Sequence, residues 1–272
     1  MIRILVPFNG SATSRTALAY ARLIAPDDAT VVLAYVLPAR DLLDNLGVGA
    51  GARRETTALV TEAAATFPRG EVLLLKGDPA EAIAAEAART NVDLIVFGSR
   101  VRSRLAGFVL GSTGGKLLQA ATVPLMVVHE AVPAITTIVA AVETGVPAVI
   151  VARAAQVLAK ATGAHVALVN VVDADPAVVS TPDEFGIPSE VWRDALSKHV
   201  ERVFGPLRLH APGASEILRY GRAVDELPDA AEALAAQVIV VGRRGSSGRD
   251  VDAWSSVAAN LAVRGPFATL VV

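Results

Sequence analysis

The chain has 272 residues, with 25 Lys and Arg against 27 Asp and Glu, and its formal net charge of −2 excludes nucleic-acid binding driven by bulk charge. Hydrophobic residues make up 53% and charged residues 19%, so there is ample apolar material for packed cores and not the composition of a disordered chain. Cysteine is absent, which removes disulfides, thiolate metal centres and thiol catalysis, and aromatics at 4% are too sparse for a base-stacking surface.

From the N-terminus, Ile2 to Val6 predicts a short strand, and the apolar run that contains it stops too soon for a signal peptide. Ser11 is placed to cap a helix whose Ala17, Leu18, Ala21, Ile24 and Ala25 repeat at the spacing of one buried face, and Pro26 stops it. Val31 to Val36 predicts a second strand, Arg53 to Phe67 a second helix, Val72 to Leu75 a third strand and Ala80 to Thr90 an alanine-rich third helix. A strand from Leu94 to Phe97, a helix from Ser112 to Ala121 and a strand from Leu125 to Val128 follow. Strands that are apolar along their whole length and separated by helices imply an α/β fold with a parallel sheet covered on both faces. Right-handed crossovers then put ligand loops at the carboxyl ends of the strands.

The same order of elements recurs. Asp93-Leu94-Ile95-Val96-Phe97-Gly98 is matched by Gln237-Val238-Ile239-Val240-Val241-Gly242, an offset of 144, which also maps Gly77 onto Gly221, Arg100 onto Arg244 and Leu117 onto Leu261. Near the start the offset is 134, where Leu5 to Asn9 align with Val139 to Glu143, and Val36 meets Val171 at 135. The second copy therefore carries about nine extra residues in the proline-rich stretch from Asp173 to Pro188. Two homologous domains are expected, 1–130 and 136–272. Apolar stretches near 131–142 and 145–152 are broken by Pro133, Glu143 and Pro147 and fall short of the roughly 20 residues of a membrane span, so a soluble protein is expected.

After the fourth strand the first copy reads Gly98-Ser99-Arg100-Val101-Arg102-Ser103-Arg104, and Gly111-Ser112-Thr113-Gly114 opens the next helix. Glycines allow backbone N–H groups to approach a ligand, a helix N-terminus favours an anion by about 0.3–1 kcal/mol, and the hydroxyls of Ser112 and Thr113 donate to phosphate oxygens. The alternative is structural: glycines for the turn, Ser112 as a cap and the arginines as a solvated run.

Taken in order, Ile4-Leu5-Val6-Pro7 leading to Gly10-Ser11, the turn Gly77-Asp78-Pro79, and Gly98-Ser99-Arg100 followed by Gly111-Ser112 resemble the universal stress protein family, twice along nearly the whole chain. That resemblance implies two tandem Rossmann-like (HUP-type) domains, each a five-stranded parallel sheet of order 3-2-1-4-5 flanked by helices. It implies pairing of domains through their last strands, Leu125 to Val128 and Thr269 to Val272, as an intramolecular pseudo-dimer, with a homodimer of chains and an unidentified protein partner as further associations. Nucleotide-binding members carry Gly-x2-Gly-x9-Gly-Ser/Thr, and each copy here departs from it once. Copy one has Val101 in place of the middle glycine; copy two keeps Gly242 and Gly245 but has Ser255-Ser256 in place of the last Gly-Ser. The acidic residue that ends the first strand in the family is Asn9 in copy one and Glu143 in copy two.

By resemblance, then, an adenine nucleotide, ATP with Mg, would be held in copy one. Pro7 and Asn9 would border it, Val36 would meet the adenine, and Gly98, Arg100, Val101, Gly111, Ser112 and Thr113 would surround ribose and phosphates. Glu143, Val171, Gly242, Gly245, Ser255 and Ser256 would form a degenerate second site. Charge also favours copy one, because its loop carries Arg100, Arg102 and Arg104 whereas copy two places Asp250 and Asp252 in the corresponding loop. The expected function is a cytoplasmic nucleotide-binding stress-response module, with no catalytic or metal-ligating residues and at most slow ATP hydrolysis, since the loop offers no general base. The rival is a protein of the same fold with both sites degenerate, acting by protein interaction.

Other signals lead elsewhere or nowhere. The run from Gly111 to Lys116 looks like a P-loop, but position 110 is Leu110 and Lys116 is followed by Leu117. An adenylyl-transferring enzyme on a related fold would need a first loop unlike Pro7 to Ser11. His129, His165, His199 and His210 show no metal-ligand spacing. Trp192, with Val191, Leu196 and Val203, is expected to pack into the core, and Trp254 falls in the second phosphate-type loop.

Overall fold

The computed structural model describes residues 2–37, 49–99, 112–243, 256–263 and 266–272. The chain divides into two compact units, Met1–Pro133 and Ala134–Val272.

Unit 1 runs β1 (Arg3–Pro7), α1 (Ala12–Ile24), β2 (Thr30–Leu37), α2 (Gly49–Ala64), β3 (Gly70–Lys76), α3 (Pro79–Arg89), β4 (Leu94–Gly98), α4 (Ser112–Ala120) and β5 (Leu125–Val128). Its strands pair in parallel in the order β3-β2-β1-β4-β5. This is the 3-2-1-4-5 order that the family resemblance implies. Ile4, Leu5 and Val6 are all buried, so β1 faces apolar neighbours on both sides, as a central strand under helices must.

Local chemistry sets the helix ends. Ser11 Oγ accepts the Ser14 N–H at 3.3 Å and caps α1, whose Ala17, Leu18, Tyr20, Ala21 and Ile24 are buried. The helix stops at Ile24, one residue before the position ahead of Pro26, where the proline ring disfavours helical backbone. Helix α2 differs from expectation at both ends. It starts at Gly49, four residues before Arg53, and so takes in Gly49 and Gly51 despite their poor helix propensity. It ends at Ala64, because the chain turns back so tightly that a Cβ on Gly70 would overlap the Ala64 carbonyl. Phe67 thus leaves the helix and turns inward, with the Arg22 guanidinium 5.8 Å from its ring centroid.

Unit 2 runs β6 (Thr137–Ala141), α5 (Val146–Thr162), β7 (His165–Val172), α6 (Pro176–Ser180), α7 (Ser189–Phe204), β8 (Ser215–Tyr220), α8 (Ala223–Ala233), β9 (Val238–Val241), α9 (Ser256–Leu261) and β10 (Ala268–Val271). The strands are again parallel, in the order β8-β7-β6-β9-β10. Val139, Ile239, Leu227, Leu261 and Phe267 join strands and helices into one core. The extra proline-rich stretch folds as α6 and a 3-10 turn, Pro182–Phe185, whose Asp183 Oδ1 accepts the Ser189 N–H at 3.0 Å.

The expected burial of the Trp192 group needs correction. Only Val203 is buried among the four; Trp192 and Leu196 are half-buried and Val191 is exposed, because α7 meets the core at its carboxyl end through Val203 and Phe204. Trp254 lies outside the described residues.

The turns into α3 and α8 show how the two copies diverged. Gly77 and Gly221 both have positive φ, +110° and +129°, a backbone that side chains rarely adopt. After Gly77, Asp78 caps α3 by accepting from Ala80 N and Glu81 N at 3.0 and 3.3 Å, with Pro79 in the first turn. After Gly221 the equivalent residue is Arg222, which makes no side-chain cap.

Candidate functional site: a cleft at the carboxyl ends of the unit 1 strands

In unit 1, β1 and β4 are paired neighbours whose following connections lead to opposite sides of the sheet, and loops from β1, β2 and β4 open a cleft at their carboxyl ends. A cavity of about 220 Å³ lies there. Pro7 and Asn9 reach it from the end of β1, Val36 from β2, Gly98 from β4 and Thr113 from the first turn of α4. The structure thus brings together five residues nominated from the sequence. Ser112 opens α4 beside them; Arg100, Val101 and Gly111 lie outside the described residues.

The β1–α1 corner is held by a compact polar network. Asn9 Oδ1 accepts the Ser11 N–H at 3.1 Å, which folds the turn back on itself. Ser14 Oγ donates to the Ser11 carbonyl at 3.0 Å, and Ser11 Oγ lies 3.2 Å from Thr13 Oγ1. Three hydroxyls therefore gather at the N-terminus of α1, where the helix field favours negative charge. Gly98 closes this corner from the other side. A Cβ there would overlap the Thr13 carbonyl, so only glycine lets β4 end against the first turn of α1.

At the rim, Lys116 Nζ donates to Asp78 Oδ2 at 2.8 Å and so links the second turn of α4 to the cap of α3, near Pro79 and Thr113. The Lys116 ammonium, followed by the Glu81 backbone N–H, holds the Asp78 carboxyl below its ordinary range, and Asp78 in turn raises Lys116.

The sequence reading passed over several lining residues: Phe8, Ser11, Thr13, Ser14, Ala34, Tyr35, Pro79, Ile83 and Phe97. A signal existed for two of them. Ser14 stands one helical turn after the cap Ser11, and Tyr35 precedes Val36 at the end of an otherwise aliphatic strand.

Unit 2 is built differently at the matching place. Val142 N bonds the Val169 carbonyl as Phe8 N bonds that of Ala34, which puts Asn170 where unit 1 has Tyr35. Asn170 is buried, and its Nδ2 donates to the Val142 carbonyl at 2.8 Å. His199 Nε2 donates to Asn170 Oδ1 at 2.9 Å, and Arg202 donates to His199 Nδ1 at 2.8 Å. Burial, then the nearby Arg202 charge, lowers the pKa of His199. Of the second-site residues, Glu143 is exposed beyond β6, Val171 and Gly242 are half-buried, and Ser256 opens α9. Gly245 and Ser255 lie outside the described residues. A cavity of about 210 Å³ in this unit lies at the opposite end of the sheet, around Lys160, Gly163, His165 and Gly213.

His129, His165 and His210 make hydrogen bonds to Ser99 O, Ser215 Oγ and Arg153 Nε respectively. Among the described residues no three His, Asp or Glu side chains gather as a metal site, and no helix is long and apolar enough to cross a membrane.

The model of the universal stress protein family matches residues 1–129 and again 134–272. A stretch of 59 residues is 41% identical to the stress response protein NhaX of Bacillus subtilis, covering 22% of this chain and 36% of that protein. A stretch of 62 residues is 40% identical to a universal stress protein of Thermus aquaticus, covering 23% of this chain and 45% of that one. The chain thus spans less than half the length of either curated relative. Among solved structures, a universal stress protein of Archaeoglobus fulgidus superposes with a TM-score of 0.69 at 18% identity, covering 99% of this chain and 97% of its own. A putative universal stress protein of Pseudomonas aeruginosa gives 0.64 at 18% identity, with 99% and 92% covered. With two matches that together take in nearly every residue, the chain belongs to the universal stress protein family and carries two of its domains in tandem.

Proposed function

We propose that unit 1 binds an adenine nucleotide, ATP, in the cleft at its strand ends, and that the protein is a nucleotide-responsive stress module of the cytoplasm with no efficient catalysis. One observation carries this reading: Pro7, Asn9, Val36, Gly98 and Thr113, far apart in sequence, converge on one cavity beside three helix N-termini, those of α1, α3 and α4. At about 220 Å³ the described part has room for the base and sugar, below the 300–1,000 Å³ usual for whole ligands. The phosphates would extend past Thr113, and the sequence between Gly98 and Ser112 supplies Arg100, Arg102 and Arg104. The apolar walls of Ala34, Val36, Ile83 and Phe97 suit a flat base, and the hydroxyls of Ser11, Thr13 and Thr113 suit sugar and phosphate oxygens.

Among the described lining residues there is no carboxylate, histidine or lysine, so these residues offer a water no general base and support at most slow hydrolysis. Magnesium prefers oxygen ligands, usually carboxylates and phosphates; this cleft offers hydroxyls and the Asn9 amide, so the ion would be carried by the phosphates. A chain without cysteine suits a reducing compartment. In unit 2 the Asn170–His199–Arg202 network takes the place of the open wall, which favours unit 1 as the binding copy.

Calorimetric titration with ATP, with mass spectrometry of the purified protein for copurifying nucleotide, tests the reading. Saturable binding at one site per chain is expected. No copurifying nucleotide and no heat at millimolar ATP would overturn it and leave a protein that acts through interaction surfaces alone.

A further inference from the structure

We propose that the outer face of α5 in unit 2 is a docking seam for an acidic amphipathic helix of another protein. The helix buries Ala148, Val151, Ala152, Ala155, Leu158 and Ala159 in its own unit. On its other side Val146, Ile150 and Val157 are 72%, 49% and 56% exposed. At about 100° per residue, Val146, Ile150, Arg153, Val157 and Lys160 fall within about 80° of arc and about 21 Å of length. Their spacing of four, three, four and three residues is the a/d repeat by which one helix packs along another. Large apolar residues at this spacing on a solvent face are what a helix-in-groove or helix-on-helix partner reads.

The duplication shows that the fold does not need these residues. At the offset of 134, α1 of unit 1 has Ala12, Thr16, Ala19 and Leu23 where α5 has Val146, Ile150, Arg153 and Val157. It also ends after 13 residues where α5 runs for 17, and the added turn carries Lys160. Packing against the sheet is satisfied in both copies, so the aliphatic stripe and its cations serve something outside the unit.

Charge selects the occupant. Helix α5 contains no acidic residue, and among the described residues neither Arg153 nor Lys160 makes an ion pair with a carboxylate. Arg153 gives its Nε–H to His210 Nδ1 at 3.3 Å, leaving its outer N–H groups to solvent and placing the loop with Leu209, 88% exposed, at the border of the stripe. A partner helix with aliphatic residues against Ile150 and Val157 and carboxylates against Arg153 and Lys160 matches this surface at every position. A second copy matches it less well, since a two-fold pair centred on the stripe sets Arg153 against its own counterpart. A lipid surface is also less suited: the stripe holds no aromatic residue, and the opposite face of α5 is tied into the core.

The probe is an amphipathic helical peptide of about 18 residues with Leu at the positions that face Ile150 and Val157 and Glu at those that face Arg153 and Lys160, with a twin in which Lys replaces Glu. Fluorescence anisotropy against the full chain should show saturable micromolar binding of the Glu peptide alone. Ile150→Asp and Val157→Asp should each weaken it about tenfold or more, and Arg153→Glu with Lys160→Glu should move the preference to the Lys twin. All four positions are exposed, and circular dichroism verifies that the variants fold. Absence of saturable binding, equal binding of both peptides, or binding unchanged in folded Ile150→Asp would overturn the proposal. So would cosedimentation with phosphatidylserine vesicles, or a dimer in sedimentation velocity, that Ile150→Asp abolishes while the Glu peptide fails to bind.

Discussion

Gly98 and Thr13 meet backbone to backbone: the end of β4 lies so close to the first turn of α1 that a side chain on Gly98 would overlap the Thr13 carbonyl. Both residues also line the cavity, so one contact sets the fold and the shape of the cleft together. Gly98→Ala forces β4 and α1 apart and should cost about 1–3 kcal/mol, the usual range for overpacking. Gly115→Ala is the control. Its Cβ meets nothing within 4 Å, and alanine inside α4 should add about 0.5–1 kcal/mol. Urea unfolding checks both; equal midpoints for Gly98→Ala and the wild type would show that α1 yields without cost.

The Asp78–Lys116 ion pair makes a pH prediction. Asp78 has a folded pKa below its ordinary 3.8, so its support is complete above that value and is lost as pH falls through the folded pKa. Lys116 has a folded pKa above its ordinary 10.5, so its share is complete below that value and is lost as pH rises through the folded pKa. Asp78→Ala should therefore lower the unfolding midpoint at neutral pH and lose this effect under strong acid. Lys116→Gln should also distinguish ligands: it removes a cation at the phosphate end of the proposed site and should weaken ATP more than AMP. Equal losses for the two nucleotides would place Lys116 away from the phosphates.

Much of this was legible in the residues because the fold repeats a few strong signals. Continuous aliphatic strands, Ser11 as a cap, and Pro26 as a stop mark elements whose chemistry is local. The end of α2 was not legible, because it depends on Gly70 returning against Ala64, a contact between segments. Nor was the exposure of Val191, since periodicity identifies a helix face but not how much of that face reaches the core. In the candidate site, Pro7, Asn9, Val36, Gly98 and Thr113 were nominated by the family resemblance. Tyr35 had only the hint of its place beside Val36, and Ile83 had none, because only tertiary packing brings α3 to the cleft. The Asn170–His199 bond joins a strand to a helix 29 positions away and has no sequence signature.

The preference for copy one can be tested by paired substitutions. Gly111→Val should abolish most ATP binding, whereas Ser255→Val in the matching place of copy two should change it little. Competition with a fluorescent ATP analogue reads both variants under one set of conditions. Equal losses would assign the nucleotide to both copies, and a loss confined to Ser255→Val would assign it to copy two.

His199 should make unit 2 acid-sensitive. In the folded protein its Nδ1 accepts from Arg202 while its Nε2 donates to the buried Asn170, an arrangement that requires the neutral ring. Protonation would set a donor against the Arg202 guanidinium, and burial disfavours the charge as well, so the folded pKa lies below the ordinary 6.5. In the unfolded chain His199 takes up a proton as pH falls through about 6.5, before the folded form does. The stability that this neutral ring contributes is therefore complete above that pH and declines as pH drops toward the folded pKa. His199→Gln can still donate an amide N–H to Asn170 and cannot titrate, so it should flatten this decline without unfolding the unit. Urea midpoints at pH 7.5 and pH 5.5, with the His199 ring followed by NMR, measure the effect. A ring that titrates at or above 6.5, or a pH slope that His199→Gln leaves unchanged, would remove His199 as the source.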